Sequence, residues 1–153
     1  MCSIKLAVYG TLMTGYHNSH FCRNGTSIEP ITICGRIYQL SPGYPALLVP
    51  AENILAKGTH SPPHDARTQY DRNLDPVEFH TPAGWYEVRG ELVTFENTES
   101  IIPIDRLEGM PGFYDRVLLP VRKANNEVTT AWTYIMYRVP AGSILLKSGH
   151  WPE

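Results

Sequence analysis

The sequence predicts a fold built from many short strands and a few short helices. Its 153 residues include 12 glycines and 13 prolines, which are spread along the whole chain and favour turns over long helices. Several segments show the alternation and the β-branched or aromatic content of strands, whereas only two carry signals for a short helix. A helical bundle is therefore excluded. The length indicates a single domain over residues 1–153, at roughly 150 residues per domain.

Five segments carry the strand pattern and are bounded by turn residues. The first, residues 4–9, is an apolar stretch that stops at a glycine. The others are residues 31–40, 85–95, 117–121 and 131–137. We expect the last two to pair as a hairpin, because a short polar turn separates them.

Two segments carry helix signals. Asn18 is a candidate N-cap for a helix of modest length that follows it. In residues 100–110, Ser100 is the candidate cap, and a proline occupies an allowed position in the first turn. Ile104 and Leu107 are three residues apart, so both are predicted to face the core.

Residues 52–83 differ in composition from the rest of the chain. They are rich in His, Pro, Asp, Arg and Asn and contain few large apolar residues. We expect this excursion to lie outside the core, as either a functional lid or a disordered insertion. Its charged residues, including Asp65, Arg67, Asp71 and Arg72, are expected to be solvated unless the excursion closes over a pocket.

Composition excludes several classes of protein. The chain has 13 basic and 15 acidic residues, with Arg122-Lys123 as its only adjacent basic pair, so nucleic acid is not an expected partner. No apolar run approaches the ~18 residues of a membrane span, and the first residues do not form a signal peptide. Cys2, Cys22 and Cys34 are odd in number and lack CxxC spacing, so we expect neither disulfides nor a thiolate metal site, and a cytoplasmic location.

The first candidate site is the segment Val8-Tyr9-Gly10-Thr11-Leu12, in which a strand stops at a glycine followed by a hydroxyl residue. Such a turn can direct successive backbone N–H groups into one concavity that binds a carboxylate or another anion. The alternative is an ordinary turn between a strand and a loop.

The second candidate site is Glu108, within the segment Asp105-Arg106-Leu107-Glu108-Gly109. At the end of a short helix, this carboxylate would be half turned towards the core, and burial would raise its pKa towards the range of a general acid/base. Asp105 is expected to pair with Arg106 or Arg116. The alternative is that Glu108 is a solvated helix residue.

These segments, taken in their order along the chain, resemble the γ-glutamylcyclotransferase-like superfamily, especially its γ-glutamylamine cyclotransferase and AIG2-like members. The resemblance covers most of the chain. It rests on Val8-Tyr9-Gly10-Thr11-Leu12, Gly35-Arg36-Ile37-Tyr38, Tyr44-Pro45-Ala46-Leu47, Val88-Arg89-Gly90-Glu91-Leu92, Asp105-Arg106-Leu107-Glu108-Gly109, Tyr114-Asp115-Arg116, Ala131-Trp132-Thr133-Tyr134 and Ser148-Gly149-His150-Trp151.

The resemblance implies an α+β fold, a mixed β-barrel-like sheet with short flanking helices. It implies that Glu108 is the general acid/base and that one pocket holds the γ-glutamyl group through the backbone amides of the first turn. The implied substrate-binding residues are Tyr9, Gly10, Thr11, Leu12, Tyr114 and Tyr134. If the excursion closes over this pocket, it would select the leaving group.

The implied reaction is intramolecular attack of the α-amine of a γ-glutamyl amine or γ-glutamyl amino acid on its own γ-carbonyl, which releases 5-oxoproline without a metal or cofactor. Two alternatives come from other classes. His60, His64 and His80 suggest a metal hydrolase, but the prolines at 62 and 63 disfavour a helix that would align the first two. The same fold can also serve as a non-catalytic small-ligand-binding or regulatory module.

Overall fold

A computed structural model describes residues 2–153. Within these residues the chain forms eight strands, two α-helices and three short 3₁₀ helices. The strands are β1 (Ile4–Val8), β2 (Ser27–Gln39), β3 (Pro45–Leu48), β4 (Ala56–Lys57), β5 (Tyr86–Phe95), β6 (Asp115–Lys123), β7 (Val128–Ile135) and β8 (Ile144–Leu145). The helices are α1 (Pro62–Arg72) and α2 (Ile102–Leu107), with 3₁₀ turns at Ser19–Cys22, Ala51–Asn53 and Thr98–Ile101.

Five strands close into a barrel in the order β2-β5-β1-β7-β6, because β6 returns to pair with β2. Neighbouring strands run antiparallel except β1 and β7, which are parallel. Strands β3 and β8 pair with β2 outside this ring, and β4 pairs with β6. The α+β class and the mixed barrel are therefore confirmed.

Two apolar clusters form because successive side chains of a strand point to opposite faces. One cluster takes residues from all five barrel strands and none from α1 or α2, which places it inside the barrel. The other joins the outer faces of β1, β5, β6 and β7 to α1 and α2. Ala7 belongs to the inner cluster, whereas Leu6 and Val8 belong to the outer one. The chain around Val8 therefore lies between both clusters.

The predicted strands are all present, with shifted ends. β1 stops at Val8, one residue early, and β2 begins at Ser27 rather than at residue 31, because its first residues pair with the far end of β5. The predicted hairpin is β6–β7. Asn126 takes a left-handed conformation in its turn, with φ of 70°, a conformation that asparagine tolerates better than most residues.

Asn18 lies at the predicted N-cap position but makes no side-chain cap bond, and the cap predicted at Ser100 is wrong. Asn18 precedes only a single 3₁₀ turn, and its side-chain amide donates to the Thr11 hydroxyl instead (2.9 Å). Ser100 lies inside a 3₁₀ turn that Asn97 caps by accepting a hydrogen bond from the Glu99 N–H (3.0 Å). The proline of the second segment does occupy the first turn of α2, as predicted.

Of the two residues of α2 that were predicted to face the core, only Ile104 does so. Ile104 is fully buried, whereas Leu107 is 41% exposed. The helix has six residues, too few to bury a second residue one turn later against the same outer cluster. The prediction for Leu107 was therefore wrong.

The excursion over residues 52–83 is not a disordered insertion, because it forms β4 and α1. Helix α1 begins at the prolines that were expected to prevent it. Ser61 caps the helix by accepting from the His64 N–H (3.3 Å), and the prolines occupy the first turn, where a missing N–H removes no helical hydrogen bond. Within the described residues, no helix has the length and apolar character needed to span a membrane.

Helix α1 packs on the outside of the barrel through polar contacts. The Gln69 side chain accepts a hydrogen bond from the Lys5 N–H (3.0 Å) and donates to the Thr130 carbonyl (2.9 Å). It thereby joins β1 to β7, the two parallel strands. The Trp132 indole donates to the Asp65 carbonyl (3.2 Å) and fixes the helix from the barrel side.

Candidate active site

A cavity of about 400 Å³ lies at the ends of the parallel strands β1 and β7. Its wall comes from the loop after β1, the turn before β3, the end of α2, the chain before β6, and β7. Every residue predicted for the site lies on this wall: Tyr9, Gly10, Thr11, Leu12, Glu108, Tyr114 and Tyr134. No residue of the 52–83 excursion contributes to it, so the lid, one of the two alternatives given for the excursion, is not supported.

The turn after β1 presents unpaired backbone donors to the cavity. A hydrogen bond from the Met13 N–H to the Gly10 carbonyl (3.0 Å) closes the turn. Among the described residues, the N–H groups of Gly10, Thr11 and Leu12 have no acceptor. Asn18 stabilises the turn through two hydrogen bonds. Its N–H donates to the Thr11 carbonyl (3.0 Å), and its side chain donates to the Thr11 hydroxyl. Such fixed donors suit a carboxylate or a developing oxyanion.

Gly10 is required by the close approach of β3. A Cβ atom at this position would lie 2.6 Å from Cγ of Pro45. Pro45 is itself anchored, since its carbonyl accepts the Tyr114 hydroxyl (2.7 Å).

We expect Gly10→Ala to lower the free energy of unfolding by about 1–3 kcal/mol, the usual cost of overpacking. Urea unfolding monitored by circular dichroism measures this change. The double variant with Pro45→Ala should recover part of the loss, because it removes the ring that the new methyl group meets. If the double variant loses as much stability as the two single variants together, this explanation is contradicted.

The end of α2 explains the spacing of Asp105, Glu108 and Gly109. The Met110 N–H donates to the Asp105 carbonyl (3.0 Å) and the Gly109 N–H to the Arg106 carbonyl (3.1 Å). These two bonds form a Schellman motif, in which Glu108 is the C-cap and Gly109 takes the left-handed conformation with φ of 65°. Glu108 is thereby fixed at the cavity wall.

Glu108 is the carboxyl group on the cavity wall, and its pKa is raised towards neutral pH. Burial, and then the neighbouring charge of Asp105, raise the pKa of Glu108 from 4.5 to about 7. Its side chain makes no hydrogen bond to any of residues 2–153. The carboxylate is therefore free to take a proton from a ligand and to return it.

This raised pKa makes stability depend on pH. Below about pH 4.5 the carboxyl is neutral in both the folded and the unfolded chain, whereas above pH 7 it is charged in both and the folded state bears the cost. Relative to wild type, Glu108→Gln should therefore gain about 3 kcal/mol in the free energy of unfolding between pH 4 and pH 8. Urea titrations at both pH values measure this gain.

Glu96→Gln removes one negative charge from an exposed position and is the matched control for that experiment. An equal pH dependence in Glu96→Gln and Glu108→Gln would show that Glu108 does not titrate as described.

Three buried tyrosines surround Glu108, and each donates its hydroxyl proton to a protein acceptor. Tyr9 donates to the Tyr134 carbonyl (2.7 Å), Tyr114 to the Pro45 carbonyl (2.7 Å), and Tyr134 to the Asp105 carboxylate (2.5 Å). Burial, with the nearby negative charge of Glu108 as a smaller cause, raises the pKa of Tyr9 and Tyr114. These neutral hydroxyls keep oxygen lone pairs that can accept a hydrogen bond from an ammonium group.

Asp105 pairs with Arg116, one of its two predicted partners, through bonds of 2.9 and 3.1 Å. Arg116 also binds Asp65 of α1 (2.8 Å), and both side chains are fully buried. The prediction that Asp65 is solvated was wrong, because Thr59 and Arg116 satisfy its carboxylate inside the protein. Asp71 and Arg67 are exposed, as predicted.

Sequence reasoning missed several residues of the cavity wall. Phe113 and Leu107 are both large and exposed there, and Phe113 packs edge-on against Tyr44 and Tyr114. The remaining missed residues are Ala7, Val8, His17, Asn18, Pro42, Gly43, Tyr44 and Pro45. Exposed aromatic residues in turns resemble ordinary loop residues in a sequence, so only their proximity to Glu108 identifies them.

The candidate metal ligands do not converge. His60 precedes α1, His64 lies in its first turn, and His80 lies beyond the helix. Across residues 2–153, no three His, Cys, Asp or Glu side chains lie close enough together to hold a metal ion. Cys34 is buried in β2, and burial raises the pKa of its thiol.

The fold and the site together define a class: mixed-barrel proteins with a ligand-sized cavity that carries one half-buried carboxylate. A sequence model of the family described as gamma-glutamyl cyclotransferase, AIG2-like, matches residues 6–87 and 67–153. The chain therefore belongs to this family. No curated protein sequence matches it.

Solved structures share the fold at low identity. An uncharacterised protein from Pyrococcus horikoshii aligns with a TM-score of 0.57 and 16% identity, covering 96% of this chain and 88% of that one. YkqA from Bacillus subtilis aligns with a TM-score of 0.58 and 17% identity, covering 97% of this chain and 39% of YkqA. A protein specific to uropathogenic E. coli aligns with a TM-score of 0.55 and 13% identity, covering 99% of this chain and 94% of that one. These similarities concern the fold alone.

Proposed function

We propose that the protein is a γ-glutamyl cyclotransferase that converts a γ-glutamyl amine or γ-glutamyl amino acid into 5-oxoproline and a free amine. One observation carries the proposal: Glu108, half-buried, without a hydrogen-bond partner and with its pKa raised to about 7, shares a cavity with the unpaired N–H groups of the turn after β1. Membership of the cyclotransferase family supports this reading of the site.

The reaction needs a base and an acid in succession. Glu108 takes a proton from the α-ammonium group of the substrate, and the resulting amine attacks the γ-carbonyl carbon to form a C–N bond. The tetrahedral intermediate then breaks its bond to the leaving nitrogen. Two protons pass from the α-nitrogen to the leaving amine, so that a lactam and an ammonium ion result. One carboxyl with a pKa near 7 can carry each of these protons in turn.

The backbone donors and the tyrosines hold the substrate in one conformation. The N–H groups of Gly10, Thr11 and Leu12 offer hydrogen bonds to its α-carboxylate or to the oxyanion that forms at the γ-carbon. The hydroxyl oxygens of Tyr9, Tyr114 and Tyr134 can accept from its ammonium group. Ring closure gains most from such restraint, since well-oriented intramolecular attack reaches effective molarities of ~10⁵ M or more.

A panel of γ-glutamyl amines and γ-glutamyl amino acids, incubated with the purified protein, tests the proposal. We expect at least one member to yield 5-oxoproline, measured by mass spectrometry, and Glu108→Gln to form it about 10³ times more slowly. Binding without lactam formation by correctly folded wild-type protein would instead support the non-catalytic ligand-binding module.

A further inference from the structure

A buried charge cluster lies outside the cavity and joins three separate elements. Arg116 of β6 binds Asp65 of α1 and Asp105 of α2, and neither Arg116 nor Asp65 has an exposed side chain. The Arg116 guanidinium also donates to the Thr59 carbonyl (3.1 Å). Two carboxylates and one guanidinium give the cluster a net charge of −1.

The cluster reaches the active site through Asp105. The Tyr134 hydroxyl on the cavity wall donates to Oδ1 of Asp105, and Arg116 holds both oxygens of the same carboxylate. The Asp105 carbonyl also accepts the hydrogen bond that closes the helix end bearing Glu108. The position of Asp105 relative to Glu108 is therefore fixed by side-chain and backbone bonds together.

The other titratable groups on the cavity wall are His17 and the tyrosines at positions 9, 44, 114 and 134. Burial raises the pKa of Tyr9, Tyr114 and Tyr134, and these three hydroxyls are already bound to protein acceptors. Among the described residues, neither lysine nor arginine lines the cavity. Asp105 is thus the fixed negative charge next to Glu108.

We infer that the Asp65–Arg116–Asp105 cluster holds the Asp105 carboxylate in its place relative to Glu108 and so contributes, together with the partial burial of Glu108, to its proton exchange. Asp65 and Arg116 are positioning residues, because they act on Glu108 through Asp105 and do not touch the cavity. The role in turnover rests on the proposed function, whereas the effect on the titration of Glu108 does not.

The expected direction follows from the charges. Asp65→Asn leaves Arg116 with one carboxylate partner, so the cluster changes from −1 to 0 and the charged form of Glu108 becomes more favourable. Asp105→Asn should favour the charged form of Glu108 in the same way and more strongly, because the charge that it removes lies nearer to Glu108. An adjacent charge commonly shifts a carboxyl pKa by about 1 unit or more.

Glutamate labelled with ¹³C at the side-chain carboxyl allows Glu108 to be followed by NMR, with Glu108→Gln assigning its resonance. Relative to wild type, we expect the titration midpoint to fall by about 1 pH unit in Asp105→Asn and by roughly half a unit in Asp65→Asn. Asp71→Asn lies on the same helix in an exposed pair with Arg67 and should leave the midpoint unchanged. Asparagine keeps one oxygen acceptor for Arg116, so Asp65→Asn can retain its bond to Arg116, whereas Asp105→Asn retains one of two.

Unchanged midpoints in Asp65→Asn and Asp105→Asn would overturn the inference, even if both variants were less stable. Either folded variant decides the question alone. In the same variants the acid limb of the pH profile of kcat/KM should move with the NMR midpoint. Shifted midpoints in a protein that makes no 5-oxoproline would support the electrostatic coupling and refute the proposed function.

Discussion

Glu108→Gln is expected to lower kcat for 5-oxoproline formation by about 10³, within the usual contribution of a general acid/base. Glutamine keeps the size of the side chain but neither accepts nor returns a proton at neutral pH. The backbone donors of the turn after β1 remain in place, so the substrate Kd should change less than about tenfold. Initial rates by mass spectrometry and Kd by titration calorimetry separate the two effects.

Glu96→Gln serves as the control, because Glu96 is exposed and lies outside the cavity wall. Wild-type kcat/KM should rise with pH through about 7, as Glu108 loses its proton. Retention of more than a tenth of wild-type kcat in Glu108→Gln would refute its assignment as the acid/base.

Arg116→Met should lower the free energy of unfolding at pH 7 by about 3–5 kcal/mol, because it leaves buried carboxylates without their cation. Arg116 is the only cation bound to Asp65 and Asp105 among the described residues. Methionine fills much of the space of the arginine stem. The loss of stability therefore comes mainly from the missing positive charge and less from a cavity. Urea unfolding of the variant and of wild type measures this effect.

Arg122→Met is the matched control on the same strand. Arg122 pairs with Glu87 at 3.0 Å, but its side chain is 29% exposed and that of Glu87 54%, so solvent replaces the lost partner at a cost of about 0–1 kcal/mol. Similar losses in Arg116→Met and Arg122→Met would mean that the buried cluster contributes little to stability.

The predicted site residues converge because local sequence determines much of their geometry. The glycine after Glu108 ends α2 with a Schellman motif, and Gly10 allows β3 to approach the turn after β1. Each feature is encoded within a few residues. That the two face one cavity was implied only by the family resemblance, because it depends on barrel closure between residues about 100 apart in the sequence.

Helix α1 was missed for a physical reason. Its buried face includes Asp65 and Gln69 beside Ala66, so it lacks the apolar periodicity by which amphipathic helices are predicted. These polar side chains are satisfied by Arg116, Thr59 and the backbone of β1 and β7. No local pattern can show such long-range partners, and the excursion therefore resembled a solvated loop.

The most direct test of the central claim is the product formed in H₂¹⁸O from a γ-glutamyl substrate. Intramolecular attack by the α-amine predicts unlabelled 5-oxoproline and free amine in equal amounts, both formed about 10³ times more slowly with Glu108→Gln. Glutamate carrying ¹⁸O in its γ-carboxyl would show that water is the nucleophile and would contradict the account. The absence of any product from the folded wild-type protein would contradict it as well.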